Sequence, residues 1–279
     1  MLKTRKAALW QGEMLLKEAA IPDAALDAQW LLSHVTGEPR LWLLALPDEP
    51  LAEEAAARYD ALLARRAAGE PLQYIVGETD FMGHTLRVDA RALIPRNDTE
   101  ALAEAIIARL RPGLSLLDIG TGSGALAIAA KLACPDAFVT GADISPDALA
   151  LARENGQRLG ANIEWVQSDL FAALPGRAFD IIASNPPYIQ SDALPALQRE
   201  VLREPHLALD GGADGLDFYR NIIFALPGRL SGGGALLFEV GDGQAAQVAA
   251  WMRPLFSSVE ILRDLAGLER VVTGDSYAG

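Results

Sequence analysis

Leu114-Ser115-Leu116-Leu117-Asp118-Ile119 runs without a break into Gly120-Thr121-Gly122-Ser123-Gly124, and an alanine-rich stretch, Ala125 to Ala133, follows at once. The apolar run reads as a buried strand, and the alanine-rich stretch reads as a helix. Glycines let the backbone turn sharply and approach a ligand closely. The helix start beyond them offers N–H groups that have no partner inside the helix. Taken alone, the loop is compatible with a nucleotide-binding turn or with a tight strand-to-helix connection.

The neighbouring segments decide between fold classes. Strands are predicted at Ala137 to Ile144, Ile163 to Gln167, Phe179 to Ser184 and Ala235 to Val240. Helices are predicted at Pro146 to Leu159, Leu216 to Leu230 and Gln244 to Leu255. Such alternation specifies an α/β fold with a doubly wound, mostly parallel sheet. Two closing strands, Val259 to Arg263 and Glu269 to Thr273, lie too close together for a helical crossover and must pair antiparallel.

Upstream the texture differs. Thr4 is positioned to cap a helix carrying Leu9, Trp10, Met14, Leu15 and Leu16. A second helix starts at Pro22-Asp23, carries Leu26, Trp30, Leu31 and Val35, and stops at Gly37. A short apolar piece, Leu41 to Leu44, follows Pro39, and a further helix runs from Pro50 to Ala67. Residues 1–72 therefore read as a small helical bundle. Gln73 to Gly77 and Phe81 to Val88 read as a hairpin or a pair of short strands, and Leu93 to Glu100 leads into a helix capped by Asp98 or Thr99. The expected organisation is a helical domain at 1–72, a β-hairpin linker at 73–97 and an α/β domain at 98–279.

With 279 residues and 51% hydrophobic content the chain is long and apolar enough to form a substantial core. No apolar run reaches the ~18–20 residues needed to span a bilayer, and the basic start, Met1 to Lys6, is followed by an amphipathic pattern instead of a signal core. A cytoplasmic protein with no membrane association is expected. The net charge of −13 offers no general attraction for phosphate backbones, which argues against a direct nucleic-acid partner. The single Cys134 excludes an internal disulfide, and His34, His84 and His206 lack ligand spacing, so no metal site is expected.

Two features carry chemistry. The loop spacing is G-x-G-x-G, which is neither a phosphate-binding P-loop nor a dehydrogenase fingerprint. Asp143 ends the second strand about twenty residues on, where an acid binds ribose hydroxyls. At the end of a later strand stands Asn185-Pro186-Pro187-Tyr188. A side-chain amide, two prolines of restricted backbone and an aromatic ring at the carboxyl end of a parallel strand can hold a planar –NH2 group.

With Asp118 to Gly124, Asp143 and Asn185 to Tyr188, the chain resembles the class I S-adenosylmethionine-dependent methyltransferases. More narrowly it resembles the HemK/PrmC family of glutamine methyltransferases acting on peptide chain release factors. Gly69 to Gly77, Leu93 to Arg96, Asp98 to Glu100, Glu204-Pro205, Gly211-Gly212, Asp214 to Arg220, Glu239-x-Gly241 and Gln244 also look like that family, so the resemblance covers almost the whole chain. It implies a Rossmann-like seven-stranded domain, S-adenosylmethionine as methyl donor, and a release factor as partner of a monomeric enzyme. It implies that Gly120, Thr121, Gly122, Ser123 and Gly124 wrap the methionine part of the cofactor, that Asp143 takes the ribose hydroxyls, and that Leu170 lies near the adenine. It further implies that Asn185 touches both cofactor and substrate, and that Asn185, Pro186, Pro187 and Tyr188 hold the glutamine side chain, with Asn185, Pro186 and Tyr188 as the catalytic set. Asp118 either bonds loop N–H groups or contacts the cofactor. Three positions depart from the family pattern: Asn97 replaces a second proline, Leu170 an aromatic residue and His206 an arginine.

The same quartet also suits the exocyclic amine of adenine in nucleic acid, or a glutamine of a ribosomal protein. The low positive charge disfavours the first; the site chemistry alone does not separate the second.

Overall fold

The computed structural model describes residues 3–279, which divide into two units, 3–77 with 198–203, and 78–197 with 204–279. The first unit contains α1 (Arg5–Glu18), α2 (Ala24–Thr36), α3 (Arg40–Ala45), α4 (Glu53–Ala67) and α5 (Leu72–Val76). Thr4 caps α1 by accepting from the Ala7 N–H, and Gly37 ends α2 in the left-handed region. The inner face of α1 differs from the stripe expected. It is Ala8, Gly12 and Leu16, whereas Trp10, Met14 and Leu15 are exposed. Small residues let α1 approach α4: a β-carbon on Gly12 would lie 2.3 Å from the Tyr59 hydroxyl, which donates to Ala28 O at 3.0 Å. Gln73 to Gly77 is not a strand. Pro71 precedes one helical turn, Gly77 closes it at φ +84°, and Tyr74 and Ile75 are buried.

Burial also encloses charge in this unit. Arg66 donates to Asp27 at 2.7 Å and pairs with Glu200 at 2.6 Å, and its side chain is 5% exposed. Burial pushes the Asp27 carboxyl above its ordinary value, against the pull of Arg66.

The second unit starts with a hairpin, β1 (Glu78–Phe81) and β2 (His84–Arg87), whose Phe81 and Leu86 pack in the same core as Leu102 and Ile106. Then follow α6 (Glu100–Arg109), β3 (Ser115–Ile119), α7 (Ala125–Ala133), β4 (Phe138–Asp143), α8 (Pro146–Leu159), β5 (Glu164–Gln167), β6 (Phe179–Ser184), α9 (Asp217–Phe224), β7 (Leu230–Glu239), α10 (Ala245–Met252), β8 (Phe256–Arg263) and β9 (Glu269–Tyr277). The seven strands are ordered β5-β4-β3-β6-β7-β9-β8. β3 to β7 are parallel, and β9 runs antiparallel to both β7 and β8, as the short last connection requires.

Side chains alternate across the sheet into two cores. Leu116, Ile181 and Ala183 face one core with α6 and α7; Leu117, Ile119 and Ile182 face the other with α9 and α10. Two boundaries differ from the sequence reading. α9 ends at Phe224, because Pro227 disfavours helix in the residue before it, and Leu230 already belongs to β7. Neither Asp98 nor Thr99 caps α6 through its side chain; residues 97–99 form a 3₁₀ turn instead. Among the described residues no helix is long and apolar enough to cross a membrane.

Removing a buried charge partner leaves the other charge unsatisfied at a cost of about 3–5 kcal/mol. Arg66→Met should therefore lower stability by about that amount, measured as the midpoint shift in chemical denaturation.

Candidate active site

Strand order reverses at β3, which has β4 on one side and β6 on the other. Ligands of open α/β sheets bind outside the carboxyl ends of strands at such a point. Here the register sets Ile119 level with both Ala142 and Ser184, so the loop after β3, Asp143 and Asn185 leave the sheet at one edge. A cavity opens there. It is lined by Gly120 and Gly122 of the loop, Asp143 and Ile144 after β4, Ser168 to Leu170 after β5, and Ser184 to Pro187 after β6. Arg91, Ala92 and Leu93, then Pro205, Leu207 and Ala208, add further lining.

The glycine loop is held from behind. Gly120 and Gly122 have φ of +72° and +56°, a region that side chains disfavour. Asp143 Oδ2 accepts from Gly122 N at 2.9 Å and its Oδ1 from Ser145 N at 2.9 Å. Each carboxylate oxygen retains a lone pair for a further donor. Burial pushes the Asp143 carboxyl up, and the N–H groups of Ser145, Gly122 and Ile144 draw it down. Asp118 does not line the cavity. It accepts from the Thr121 hydroxyl at 2.6 Å, and burial pushes its carboxyl up to about 7. It is thus a brace for the loop. Thr121, Ser123 and Gly124 likewise stand behind the cavity: Thr121 on Asp118, Gly124 against Trp165.

Leu170 does line the cavity, in a left-handed conformation at φ +46° that the Ser168 hydroxyl supports by donating to Leu170 O at 2.8 Å. Asn97 starts the 3₁₀ turn before α6, and His206 starts another while its neighbours Pro205 and Leu207 face the cavity.

Asn185 donates from Nδ2 to Thr99 Oγ1 at 3.2 Å. Its Oδ1 is buried and has no hydrogen-bond partner. Pro186 and Pro187 line the cavity beside it. Tyr188 does not; its ring lies next to Gly241, and burial pushes its hydroxyl up. The quartet is strapped in place by Gln244, whose Nε2 donates to Tyr188 O at 3.0 Å and Gly215 O at 3.2 Å. Gly211 closes on it from the other side: a β-carbon there would lie 2.7 Å from Tyr188 Cα and 2.8 Å from Pro187 O. Glu204, buried, accepts from Ile94 N at 3.0 Å and from the Arg96 guanidinium, tying the loop after the quartet to the 93–96 segment.

Sequence reading alone assigned no role to Gln244 or Glu239, took Thr99 only as a candidate helix cap, and left Glu204 between orienting substrate and pairing with a surface charge. Their motifs were visible, but the contacts join positions as far apart as 110 residues.

The glycine loop braced by an acid, an acid after the next strand, and Asn-Pro-Pro-Tyr at the adjoining strand end together define a class I methyltransferase. Residues 7–77 match the PrmC N-terminal domain family and residues 97–216 the methyltransferase small domain family. The chain is 44% identical over 261 residues to the release factor glutamine methyltransferase of Geobacter sulfurreducens, covering 93% of this chain and 92% of the relative. It is 46% identical over 263 residues to that of Cereibacter sphaeroides, covering 92% and 93%. The chain belongs to the release factor glutamine methyltransferase family. In fold it also resembles a methyltransferase from Pyrococcus furiosus, at 20% identity and a TM-score of 0.53 over 70% of this chain and 90% of that one.

The backbone atoms facing Gly211 cannot yield without shifting the quartet. Gly211→Ala should lower kcat at least about 10-fold, equivalent to about 1.4 kcal/mol, with cofactor affinity near wild type by calorimetry.

Proposed function

We propose that this chain transfers a methyl group from S-adenosylmethionine to the side-chain amide nitrogen of a glutamine in peptide chain release factors. Family membership supports the reaction and substrate. The observation that carries the site assignment is the buried, unpartnered Oδ1 of Asn185 at the edge of the cavity.

The residues present fit the cofactor. The two cavity-lining glycines leave room for its methionine part, Asp143 keeps lone pairs for ribose hydroxyls, and Ile144 and Leu170 offer apolar surface for the adenine. When bound, the cofactor supplies a methyl group already activated on a sulfonium. The remaining task is to present a poor nucleophile correctly. An amide nitrogen is weakly nucleophilic because its lone pair is shared with the carbonyl. Asn185 Oδ1 and the Pro186 carbonyl accept its two N–H hydrogens, fix its direction and favour the positive charge it gains during attack. Pro187 holds its own φ and restricts the backbone of Pro186. Tyr188 completes the quartet. The N-alkylated amide is acidic enough to lose its proton without a strong base.

Residues 1–72 dock the protein substrate, 73–97 form the linker and 98–279 carry the transfer. Trp10, Trp30 and Trp42 are exposed there at 63%, 45% and 60%, more aromatic surface than a solvated helical face requires. The enzyme acts as a monomer in the cytoplasm and needs no nucleic acid; the net charge of −13 supports the last point.

Incubation with labelled S-adenosylmethionine and, in parallel, release factor, ribosomal proteins and adenine-containing DNA should label only the release factor, at its glutamine. Label confined to DNA or to ribosomal protein refutes the assignment. Asn185→Ala should abolish transfer with cofactor affinity changed less than a few-fold. Asp143→Ala should weaken cofactor binding about 10-fold or more by calorimetry, since a lost hydrogen bond to a charged group is worth about 1.5–3 kcal/mol.

A further inference from the structure

β6 and β7 are parallel with Ser184 opposite Phe238, so Asn185 and Glu239 leave the sheet side by side. Glu239 is 1% exposed. Its Oε2 has no hydrogen-bond partner, and its carboxyl faces the Thr99 hydroxyl and the Asn185 side chain. Nothing in the transfer step assigned above uses it.

An asparagine amide has two ends of nearly equal shape and opposite polarity. Turned one way, Asn185 offers an acceptor to the substrate –NH2 group; turned the other, it offers a donor and repels it. The Thr99 hydroxyl is Asn185's hydrogen-bonding neighbour at 3.2 Å, and a hydroxyl both donates and accepts. It therefore cannot set the polarity of Asn185 unless its own proton is committed elsewhere. An ionised carboxylate only accepts. With Glu239 taking the Thr99 proton, the Thr99 oxygen is left to accept from Asn185 Nδ2, and Oδ1 is left for the substrate.

We propose that Glu239 is a positioning residue that acts through Thr99 to fix the orientation of the Asn185 amide, so that its oxygen meets the glutamine –NH2 group. This rests on the assignment of Asn185 as the acceptor of that group. The orientation holds only while Glu239 is ionised, because a protonated carboxyl can donate to Thr99 and release the hydroxyl proton toward Asn185. Burial pushes the Glu239 carboxyl up to about 7, the Thr99 hydroxyl, Arg270 and Asn185 draw it down, and Asp98 raises it. Tyr188 and Tyr219 are the other titratable groups that face it. An acid pKa raised in this way means the competent, ionised form is lost as pH falls through about 7.

Glu239→Gln preserves shape but replaces an acceptor-only carboxylate with an amide that can turn a donor toward Thr99. Expected is a fall in kcat of about 10- to 100-fold on purified release factor, with the dissociation constant for S-adenosylmethionine within about 2-fold of wild type and thermal stability retained. The acid limb of kcat near pH 7 expected of wild type should be absent from this variant. Thr99→Val should reproduce the kcat loss, and Thr99→Ser, which keeps the hydroxyl, should recover most of it. Wild-type kcat in Glu239→Gln alongside an inactive Asn185→Ala overturns the relay and leaves the reading of Asn185 standing. A fully active Asn185→Ala overturns that reading and the relay with it. Loss of cofactor affinity or folding in step with kcat, or an unchanged acid limb in Glu239→Gln, also overturns the relay.

Discussion

The parallel register of β3 with β4 and β6 is the constraint on which everything else in the second unit depends. Ile119 sits opposite Ala142 and Ser184 at once. The side-chain period of a strand is two, so a slip of one residue would turn every inward residue outward. That would exchange the two cores, and it would also carry the glycine loop, Asp143 and Asn185 to different heights. The apolar alternation that makes the sheet stable is thus the same constraint that aligns the residues proposed to hold cofactor and substrate.

Around that edge, buried polar groups hold the loops instead of leaving them to packing. Asp143 clamps the glycine loop through Gly122, Asp118 braces it through Thr121, Gln244 straps Tyr188, and Glu204 ties the segment after the quartet to residues 93–96. Burial makes such groups costly unless they are paired, so a fully occupied set leaves few alternative loop conformations. Among the described residues, Asn185 Oδ1 and Glu239 Oε2 are both buried without a hydrogen-bond partner, and the two residues lie at neighbouring positions of adjacent strands. That pairing is what supports the proposal that a substrate group completes the hydrogen bonding at the end of β6.

Much of this was legible in the sequence. The order of strands and helices, the antiparallel closing pair, the glycine loop, Asp143 and the quartet are local patterns of period, turn chemistry and spacing; the strand order and closing pair were found as expected, and the loop, Asp143 and the quartet stand at the strand ends where the spacing put them. What misled was also local. Leu216 to Leu230 carries a helical pattern, but Pro227 and the pairing demands of β7 end α9 at Phe224. Gln73 to Gly77 is rich in β-formers, yet Pro71 and Gly77 bound a single helical turn whose Tyr74 and Ile75 are buried. Trp10 falls at helical spacing, but Ala8, Gly12 and Leu16 form the inner face of α1 and leave its ring outside.

The sequence by itself determined the fold class and the family and singled out candidate residues for the chemistry, because these follow from hydrophobic period and from motifs a few residues long. Only the tertiary structure decided which of those residues reach the cavity. It set Gly120 and Gly122 on the wall and Thr121, Ser123 and Gly124 behind it, and it turned Tyr188 toward Gly241. It also brought Thr99 and Glu239 to Asn185 from 86 residues before it and from the next strand. Those juxtapositions arise from strand register and core packing, which couple residues far apart in the chain and leave no periodic trace in either segment alone.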